Sequence, residues 1–308
     1  MMALRVLVSD PLAAESVAAM RDAGLEVDEK ADLTVEQLKS EIGAYDAIAI
    51  RSETKLRAEI IDAATNLKLI VRAGVGLDNI DVEYAQGKGI EVRNTPAASS
   101  NSVAELALGH VLSLARHIGR GTASMKAGKW EKRQLKGVEI EGKTLGIVGI
   151  GRIGQALAKK AHALGMNVVS YDAYLTESPI PDIGPMVGLE QLLAESDFIS
   201  LHVPFDPSGG PTISAAEFAA MKDGVRIVNC ARGGVVDEAA LVAAMTSGKV
   251  AGAALDVFET EPPAVDHPVL ALDAVSFTPH IGASTVEAQS RVGREAAQIV
   301  IDFAKSRG

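Results

Sequence analysis

The sequence predicts an α/β protein made of two doubly wound units, and three features carry that prediction. Short β-branched runs alternate along the chain with longer Ala- and Leu-rich stretches, the pattern of parallel strands joined by right-handed helical crossovers. The length of 308 residues suits roughly two domains of about 150 residues each. A glycine-punctuated turn in mid-chain then opens a second series of the same kind.

The first series starts with "LRVLVSD", a strand, followed by an amphipathic helix over 13–23 that Gly24 ends. Further strands are "AIAI" (47–50), "LKLIV" (67–71) and "IEV" (90–92), with helices near 56–64 and 81–87. A long helix is expected from Ser102 to about residue 120, then a short one at "ASMKAGKW". The second series runs "TLGIVG", a helix at 152–164, "NVVSYD", a helix near 189–194, "FISLHV", a helix near 214–220 and "RIVNC". It continues with a helix at 237–246, "VAGAALDV", "AVSFTPH" and a closing helix over roughly 284–305. The long helix after Pro96 is the expected seam. No repeat or low-complexity tract interrupts the pattern.

Composition narrows the function. A chain 47% hydrophobic and 23% charged is an ordinary globular one. A net charge of −10 argues against broad binding of nucleic acid or acidic lipid, so any anion must meet a local cluster of positive charge. One cysteine fits a reducing compartment. The start lacks a signal-peptide profile, and no apolar run approaches the roughly eighteen residues a spanning helix needs. These features predict a cytoplasmic protein with neither membrane nor nucleic-acid partners.

The glycine turn reads Gly149-Ile-Gly151-Arg-Ile-Gly154 between an apolar strand and a helix. Alone such a pattern is weak, but this context is the one that dinucleotide binding needs. Gly149 allows the tight turn, Gly151 lets backbone amides approach a diphosphate, and Gly154 lets helix pack on strand. The helix start adds unpaired N–H groups and a positive dipole. The next strand ends at Asp172, placed to accept hydrogen bonds from both adenosine ribose hydroxyls and to repel a 2′-phosphate. No Arg or Lys follows in "DAYLTE", so the expected cofactor is NAD.

Three other strand ends carry polar side chains: Arg232 in "NCARGGVVDE", Glu261 in "LDVFETEPP" and His280 in "TPHIGAST". Strand C-termini form the ligand edge of such sheets. Oxidising a carbinol with NAD needs a group to take the hydroxyl proton, and a histidine beside a carboxylate suits that task. A neighbouring substrate carboxylate needs a cation, and the arginine fork binds one through two hydrogen bonds. Singly, each residue has a plainer role: Arg as an ion-pair partner, His as a satisfied structural residue, Glu as a solvated turn. Their shared placement at strand ends favours chemistry. His110, His117, His162, His202 and His267 lack that placement. His110 and His117 are expected on one helix face with no carboxylate or thiolate cluster around them, so no metal site is expected.

At this point the chain resembles the NAD-dependent D-2-hydroxyacid dehydrogenases over its whole length, through "VRAGVGLDNID", "NTP", "SVAEL", "ASMKAGKWEK", "GKTLGIVGIGRIG", "VNCARGGVVDE", "GAALDVFETEPP" and "PHIGASTVEAQSR". The resemblance implies a flavodoxin-like substrate domain from 1–98 plus 284–308, closing over a Rossmann NAD-binding domain at 99–283. It implies that Arg232 binds the α-carboxylate and keto oxygen, and that Glu261 holds and tunes His280, the acid/base. Asp256 would contact the nicotinamide end, with Arg152, Ile153, Val203, Cys230, Ala231, Gly282 and Ala283 also at the cofactor. Cys230 would be a pocket wall, not a nucleophile. Amides of Gly74, Val75 and Gly76 would hold the carboxylate, and Arg51, Ser52 and Ser99 would face the distal end of a small anionic substrate. A homodimer would form through the long helix and its neighbours, with Lys132 reaching the partner's site.

The resemblance implies oxidation of a 2-hydroxy acid with a second anionic group, 3-phosphoglycerate above all, as in serine biosynthesis. Two departures bear on that. The segment "AASSNS" (97–102) replaces the Asn and Gly usual after "NTP", at the distal end of the substrate. "DPSGGPTIS" replaces the commoner Thr-x-Gly-Leu pattern beside the adenine. Alternative substrates are 3-sulfolactate, hydroxypyruvate and glyoxylate, and the alternative class is an NAD-sensing corepressor-like binding protein. The sequence has no counterpart of the serine-sensing extension of longer relatives, so that feedback is not expected.

Overall fold

The structure, a computed structural model, describes residues 4–307. It divides into two compact units, Met1–Ser99 with Ala283–Gly308, and Ser100–Gly282.

The first unit begins β1 (Arg5–Val8), α1 (Ala14–Asp22), β2 (Glu26–Glu29), α2 (Val35–Glu41), β3 (Ala47–Ile50), α3 (Ala58–Ala63), β4 (Leu69–Arg72), α4 (Val82–Gly87) and β5 (Glu91–Asn94). The second contains α5 (Ser100–Arg116), α6 (Ile118–Lys126), β6 (Thr144–Val148), α7 (Arg152–Ala163), β7 (Asn167–Tyr171), α8 (Leu189–Glu195), β8 (Phe198–Leu201), α9 (Ala215–Ala220), β9 (Val225–Asn229), α10 (Glu238–Thr246), β10 (Val250–Leu255) and β11 (Val275–Phe277). The closing helix α11 (Val286–Lys305) returns to the first unit.

All pairings in the first sheet are parallel, in the order β2-β1-β3-β4-β5, which is the flavodoxin-like order. Its central strand β3 is buried at every residue, which is why "AIAI" reads as a continuous apolar run with no alternation. Two apolar clusters cover its faces. Val6, Val8, Ala49 and Val71 pack with Val292, Ala296 and Val300 of α11. Leu7, Ile48, Ile50 and Ile70 pack with Leu38, Ile60 and Ile61 on the other side. Each such aliphatic side chain contributes about 1.5–3 kcal/mol on full burial.

The second sheet is parallel throughout, in the order β11-β10-β9-β8-β6-β7. A single parallel bridge from Ser170 to Met186 extends it beyond β7. Counted as a strand, that bridge gives the Rossmann order 3-2-1-4-5-6 with one more strand at the far edge. Helix α5 buries Val103, Ala104, Ala107, Val111 and Leu114 against α7 and the apolar strands.

Three details depart from the sequence reading, the first being that the short helix expected at "ASMKAGKW" lies earlier, at Ile118–Lys126. The helix expected to run to about residue 120 stops at Arg116, because His117 adopts a left-handed backbone (φ 55°) before α6 begins. The returning segment explains the stop: Val138 N–H takes the Ala115 carbonyl at 2.9 Å, and the Lys136 carbonyl lies 3.2 Å from His117 Nε2. His117 therefore does not share a helix face with His110. The elements β2 and α2 were not read, since each buries a single residue, Val27 and Leu38.

Where α11 crosses α1, a Cβ on Gly293 would lie 2.5 Å from Ser16 Oγ, a buried hydroxyl with no hydrogen-bond partner among the described residues. Overpacking of this kind costs about 1–3 kcal/mol. Gly293→Ala is therefore expected to lower the Tm by several degrees in thermal denaturation, and adding Ser16→Ala to recover most of the loss. An unchanged Tm in the single variant would contradict the close packing.

Candidate active site

Because both sheets are parallel, their strand C-termini share one edge within each unit, and the polar residues read from the sequence lie just beyond them. In the second unit the series begins with the turn after β6. Gly149 has φ +94°, its N–H donates to the Tyr171 carbonyl at 2.8 Å, and a Cβ there would lie 2.6 Å from the His202 carbonyl oxygen. A Cβ on Gly154 would collide with the Gly149 carbonyl oxygen. Gly151 differs from both. Its backbone is ordinary for any residue (φ −66°), and nothing lies within 4 Å of a Cβ placed there. Neither strain nor internal packing asks for glycine at 151, so the open space at the N-terminus of α7 is the feature it preserves. A diphosphate fits that space, with free helix N–H groups and no acidic residue in the first turn.

Asp172 follows β7 and leans on the same turn: Ile150 N–H donates to its Oδ2 at 3.1 Å and Tyr174 N–H to its Oδ1 at 3.0 Å. Beyond β8, burial pushes the His202 imidazole down to about 4, so it is neutral near pH 7; its Nε2 lies 2.9 Å from Ser200 Oγ. Cys230 and Ala231 are buried beyond β9, and burial pushes the Cys230 thiol up, the opposite of a reactive thiolate.

Arg232 sits on a braced turn. The buried Asn229 side chain donates to the Arg232 carbonyl (2.9 Å) and accepts from Ala231 N–H (3.0 Å). The turn is pressed so closely on residue 258 that a Cβ on Gly233 would collide with its carbonyl oxygen. A second brace joins the same segments. Glu259 N–H donates to Glu238 Oε1 (2.8 Å), and Glu238 Oε2 lies 3.0 Å from His267 Nε2. Sequence reading missed this clamp, which ties the Arg232 loop to the Glu261 loop.

Glu261 accepts from Phe258 N–H through Oε1 (3.1 Å), and its Oε2 lies 2.7 Å from His280 Nδ1. His280 stands in the left-handed region (φ 52°), with its N–H directed at the carbonyls of Asp256 (2.8 Å) and Thr278 (3.0 Å). The side chains of His280 and Glu261 are 48% and 38% exposed, so Nε2 is the nitrogen left to face a ligand. The hydrogen bond to Glu261 raises the His280 pKa above its ordinary 6.5, against burial and the Arg232 charge. Burial works to raise Glu261, yet the His280 hydrogen bond and the charges of His280 and Arg232 leave it below its ordinary value. A cavity of about 480 Å³, walled by Phe258, Pro262, Leu270, Phe277 and Pro279, lies against this pair. Its apolar wall strengthens the electrostatics of the pair.

Asp256, 1% exposed, accepts three hydrogen bonds: Thr278 Oγ1 (2.6 Å) and Ile281 N–H (2.8 Å) on Oδ1, and Gly282 N–H (2.9 Å) on Oδ2. Of the remaining cofactor candidates, Arg152 is exposed and Ile153 and Val203 are half-buried, while Ala283 falls in the first unit.

The first unit carries the other candidates beyond β3, β4 and β5. Arg51 is fixed through its backbone: its N–H donates to the buried Asp10 (2.5 Å), and its carbonyl accepts from Asn79 Nδ2 (2.8 Å). Among the described residues its guanidinium has no hydrogen bond or ion pair. Ser52 beside it is exposed. Gly74, at φ +146°, lies over the Arg72 guanidinium and accepts from Thr95 N–H at 3.0 Å. The Val75 carbonyl accepts from Asn94 Nδ2 (2.6 Å), so the 74–76 loop is tied down through its carbonyls. Ser99 is buried. Among the described residues no group of three or more His, Cys, Asp or Glu is gathered to hold a metal, and no helix is long and apolar enough to cross a membrane.

A diphosphate turn sharing its sheet edge with a carboxylate-backed imidazole puts the chain in the class of dinucleotide-dependent oxidoreductases. Comparison with known proteins gives the family. Residues 108–282 match the model for the D-isomer specific 2-hydroxyacid dehydrogenase, NAD binding domain, and the chain belongs to that family, whose cofactor is NAD. It is 48% identical over 303 residues to the D-3-phosphoglycerate dehydrogenase of Archaeoglobus fulgidus, covering 98% of this chain but 58% of that protein. It is 53% identical over 294 residues to the hydroxypyruvate reductase of Thermotoga maritima, covering 94% of this chain and 95% of that protein. Among solved structures it is similar to a D-lactate dehydrogenase from Aquifex aeolicus complexed with NAD and lactic acid, with TM-score 0.85 and 33% identity over 98% of this chain and 96% of that one.

The contrast between two glycines tests the cofactor site. Gly151→Ala is expected to leave the Tm unchanged and to weaken NADH binding at least tenfold in a fluorescence titration, since the new methyl occupies only the ligand's space. Gly154→Ala is expected to lower the Tm by several degrees, because its methyl meets backbone. Full NADH affinity in the alanine variant at 151 would remove the diphosphate from this turn.

Proposed function

We infer that the protein oxidises a 2-hydroxy acid carrying a second anionic group, 3-phosphoglycerate to 3-phosphohydroxypyruvate foremost. The observation that carries the second anion is Arg51, whose loop is held on both sides while its guanidinium meets no acid among the described residues. In this reading Arg232 grips the substrate carboxylate and keto oxygen, the amides of Gly74, Val75 and Gly76 assist it, and Arg51 takes the distal anion beside Ser52 and Ser99. Asp256 lies at the nicotinamide end. Bound NAD supplies the hydride acceptor.

His280 removes the hydroxyl proton at Nε2, which it can do only when neutral. Its Nδ1–H then donates to Glu261, and the proton received at Nε2 makes an imidazolium that the carboxylate stabilises. Oxidation therefore requires the deprotonated form, so kcat/KM for oxidation rises with pH through the elevated His280 pKa. Glu261→Gln removes the leading cause of that elevation, and the ascending limb is expected to move to lower pH. A limb that stayed in place would separate Glu261 from the imidazole's titration.

His280→Ala is expected to keep NADH affinity within about twofold while kcat falls by roughly 10²–10⁴. Unchanged kcat would reject the assignment. Arg51→Ala is expected to raise KM for phosphoglycerate far more than for glyoxylate, and equal effects would remove Arg51 from the distal anion.

A second reading is hydroxypyruvate reduction, favoured by the likeness to the Thermotoga maritima protein over nearly the full length of both chains. Steady-state rates on phosphoglycerate, 3-sulfolactate, hydroxypyruvate and glyoxylate decide between them. The first reading assigns the protein to serine biosynthesis in the cytoplasm, consistent with a lone buried cysteine. A homodimer is part of it, supported by the exposed apolar side chains of Ile118, Met125 and Trp130 (77% exposed) in and after α6. Sedimentation of a single monomeric species would exclude that assembly.

A further inference from the structure

His110 has no part in the reaction as read above, yet it is a buried polar side chain, 4% exposed, in the middle of α5. Its Nε2 lies 3.1 Å from Thr278 Oγ1, and Thr278 Oγ1 lies 2.6 Å from Asp256 Oδ1. The direction of this chain follows from donor bookkeeping. An ionised Asp256 only accepts, and it already receives the N–H groups of Ile281 and Gly282. The Thr278 hydroxyl must then give its one proton to Asp256. What remains on that oxygen is lone pairs, so His110 must donate, with its proton on Nε2. Burial lowers the His110 pKa despite the Asp256 charge, which agrees with a neutral ring holding one proton.

The two amides on Asp256 belong to the residues directly after His280, and the His280 N–H itself points at the Asp256 carbonyl. The left-handed turn that presents His280 is thus strung from one buried aspartate. We propose that His110 is a positioning residue for the reaction: the donor end of a relay, His110 Nε2–H to Thr278 Oγ–H to Asp256, that fixes the rotation of this carboxylate and through it the turn carrying His280. The proposal rests on reading His280 as the acid/base.

Long-range ¹H–¹⁵N NMR of the histidine-labelled apoprotein tests the relay without turnover. His110 is expected as the neutral Nε2–H tautomer, and the Nδ1–H tautomer would overturn the proposal, because Nε2 would then accept from Thr278. Kinetics and NADH titration give the second arm. His110→Leu and the isosteric Thr278→Val are each expected to lower kcat roughly tenfold, about what one charge-linked hydrogen bond is worth. Each is also expected to weaken NADH binding, with the double variant no worse than either single one. His110→Gln, which rebuilds an N–H donor, is expected to recover most of the loss. Equal losses in the Gln and Leu variants, or additive losses in the double variant, would reduce His110 to packing. If His110→Leu fails to fold, as melting would reveal, Thr278→Val and His110→Gln carry the comparison. Wild-type protein inactive on every acid would remove the functional reading, while the tautomer and the NADH affinities would still decide the relay.

Discussion

Strand direction is the constraint on which the site depends. Every pairing in the Ser100–Gly282 sheet is parallel, so every strand ends at the same edge. The chain must cross back over a face of the sheet before starting the next strand. Those crossovers cover both faces, so the strands carry no acidic side chain and few polar ones before their ends. Polar atoms then appear together, at the edge: the glycine turn, Asp172, Arg232, Asp256, Glu261 and His280. Residues far apart in sequence become neighbours without any special device, and helix N-termini point toward the same edge with unpaired donors.

Holding loops in place at such an edge is a separate problem, and the two units solve it alike. Asp10 and Asp256 are buried carboxylates just beyond a strand end. Each accepts two backbone N–H groups and one threonine hydroxyl: Arg51, Thr54 and the Thr54 side chain in one case, and Ile281, Gly282 and the Thr278 side chain in the other. Burying a carboxylate costs several kcal/mol. Hydrogen bonds to a charged group return about 1.5–3 kcal/mol each, so three of them offset the burial. The result is a loop from a neighbouring part of the chain fastened to the sheet edge, with Arg51 presented by one and His280 by the other.

Much of this was legible in the sequence, for reasons that differ by element. Strands such as "AIAI" and "FISL" were clear because full burial leaves them almost wholly apolar, Ser200 being the one polar residue of the two. The glycine turn was legible because each of its three glycines answers a different demand. By contrast β2, with "EVDE", is an edge strand with one buried residue, and its polarity hid it. Helix α2 left a signal that went unused, the Thr34–Gln37 capping box. The break at His117 was illegible because its cause is a carbonyl captured by Val138, which local propensity does not register. The same holds for His110 and for the Glu238–Glu259–His267 clamp. The partners of His110 are 146 and 168 positions further along the chain, and no spacing rule spans such distances.

The charges around His280 bear on the direction of the proposed reaction. Glu261 and Asp256 favour its protonated form, while burial and Arg232 oppose it, and the balance lies above the ordinary 6.5. With His280 as the proposed acid/base, oxidation would begin with the neutral ring and reduction with the protonated one. The upward shift favours the protonated ring, which reduction would need, over the neutral ring, which oxidation would need. On the same proposal Arg232 would enter this balance twice, since a guanidinium gripping a substrate carboxylate would no longer present its full charge to the imidazole. Bound substrate would then weaken a cation that opposes protonation of His280, and the ring would become a stronger base when there is a hydroxyl proton to take.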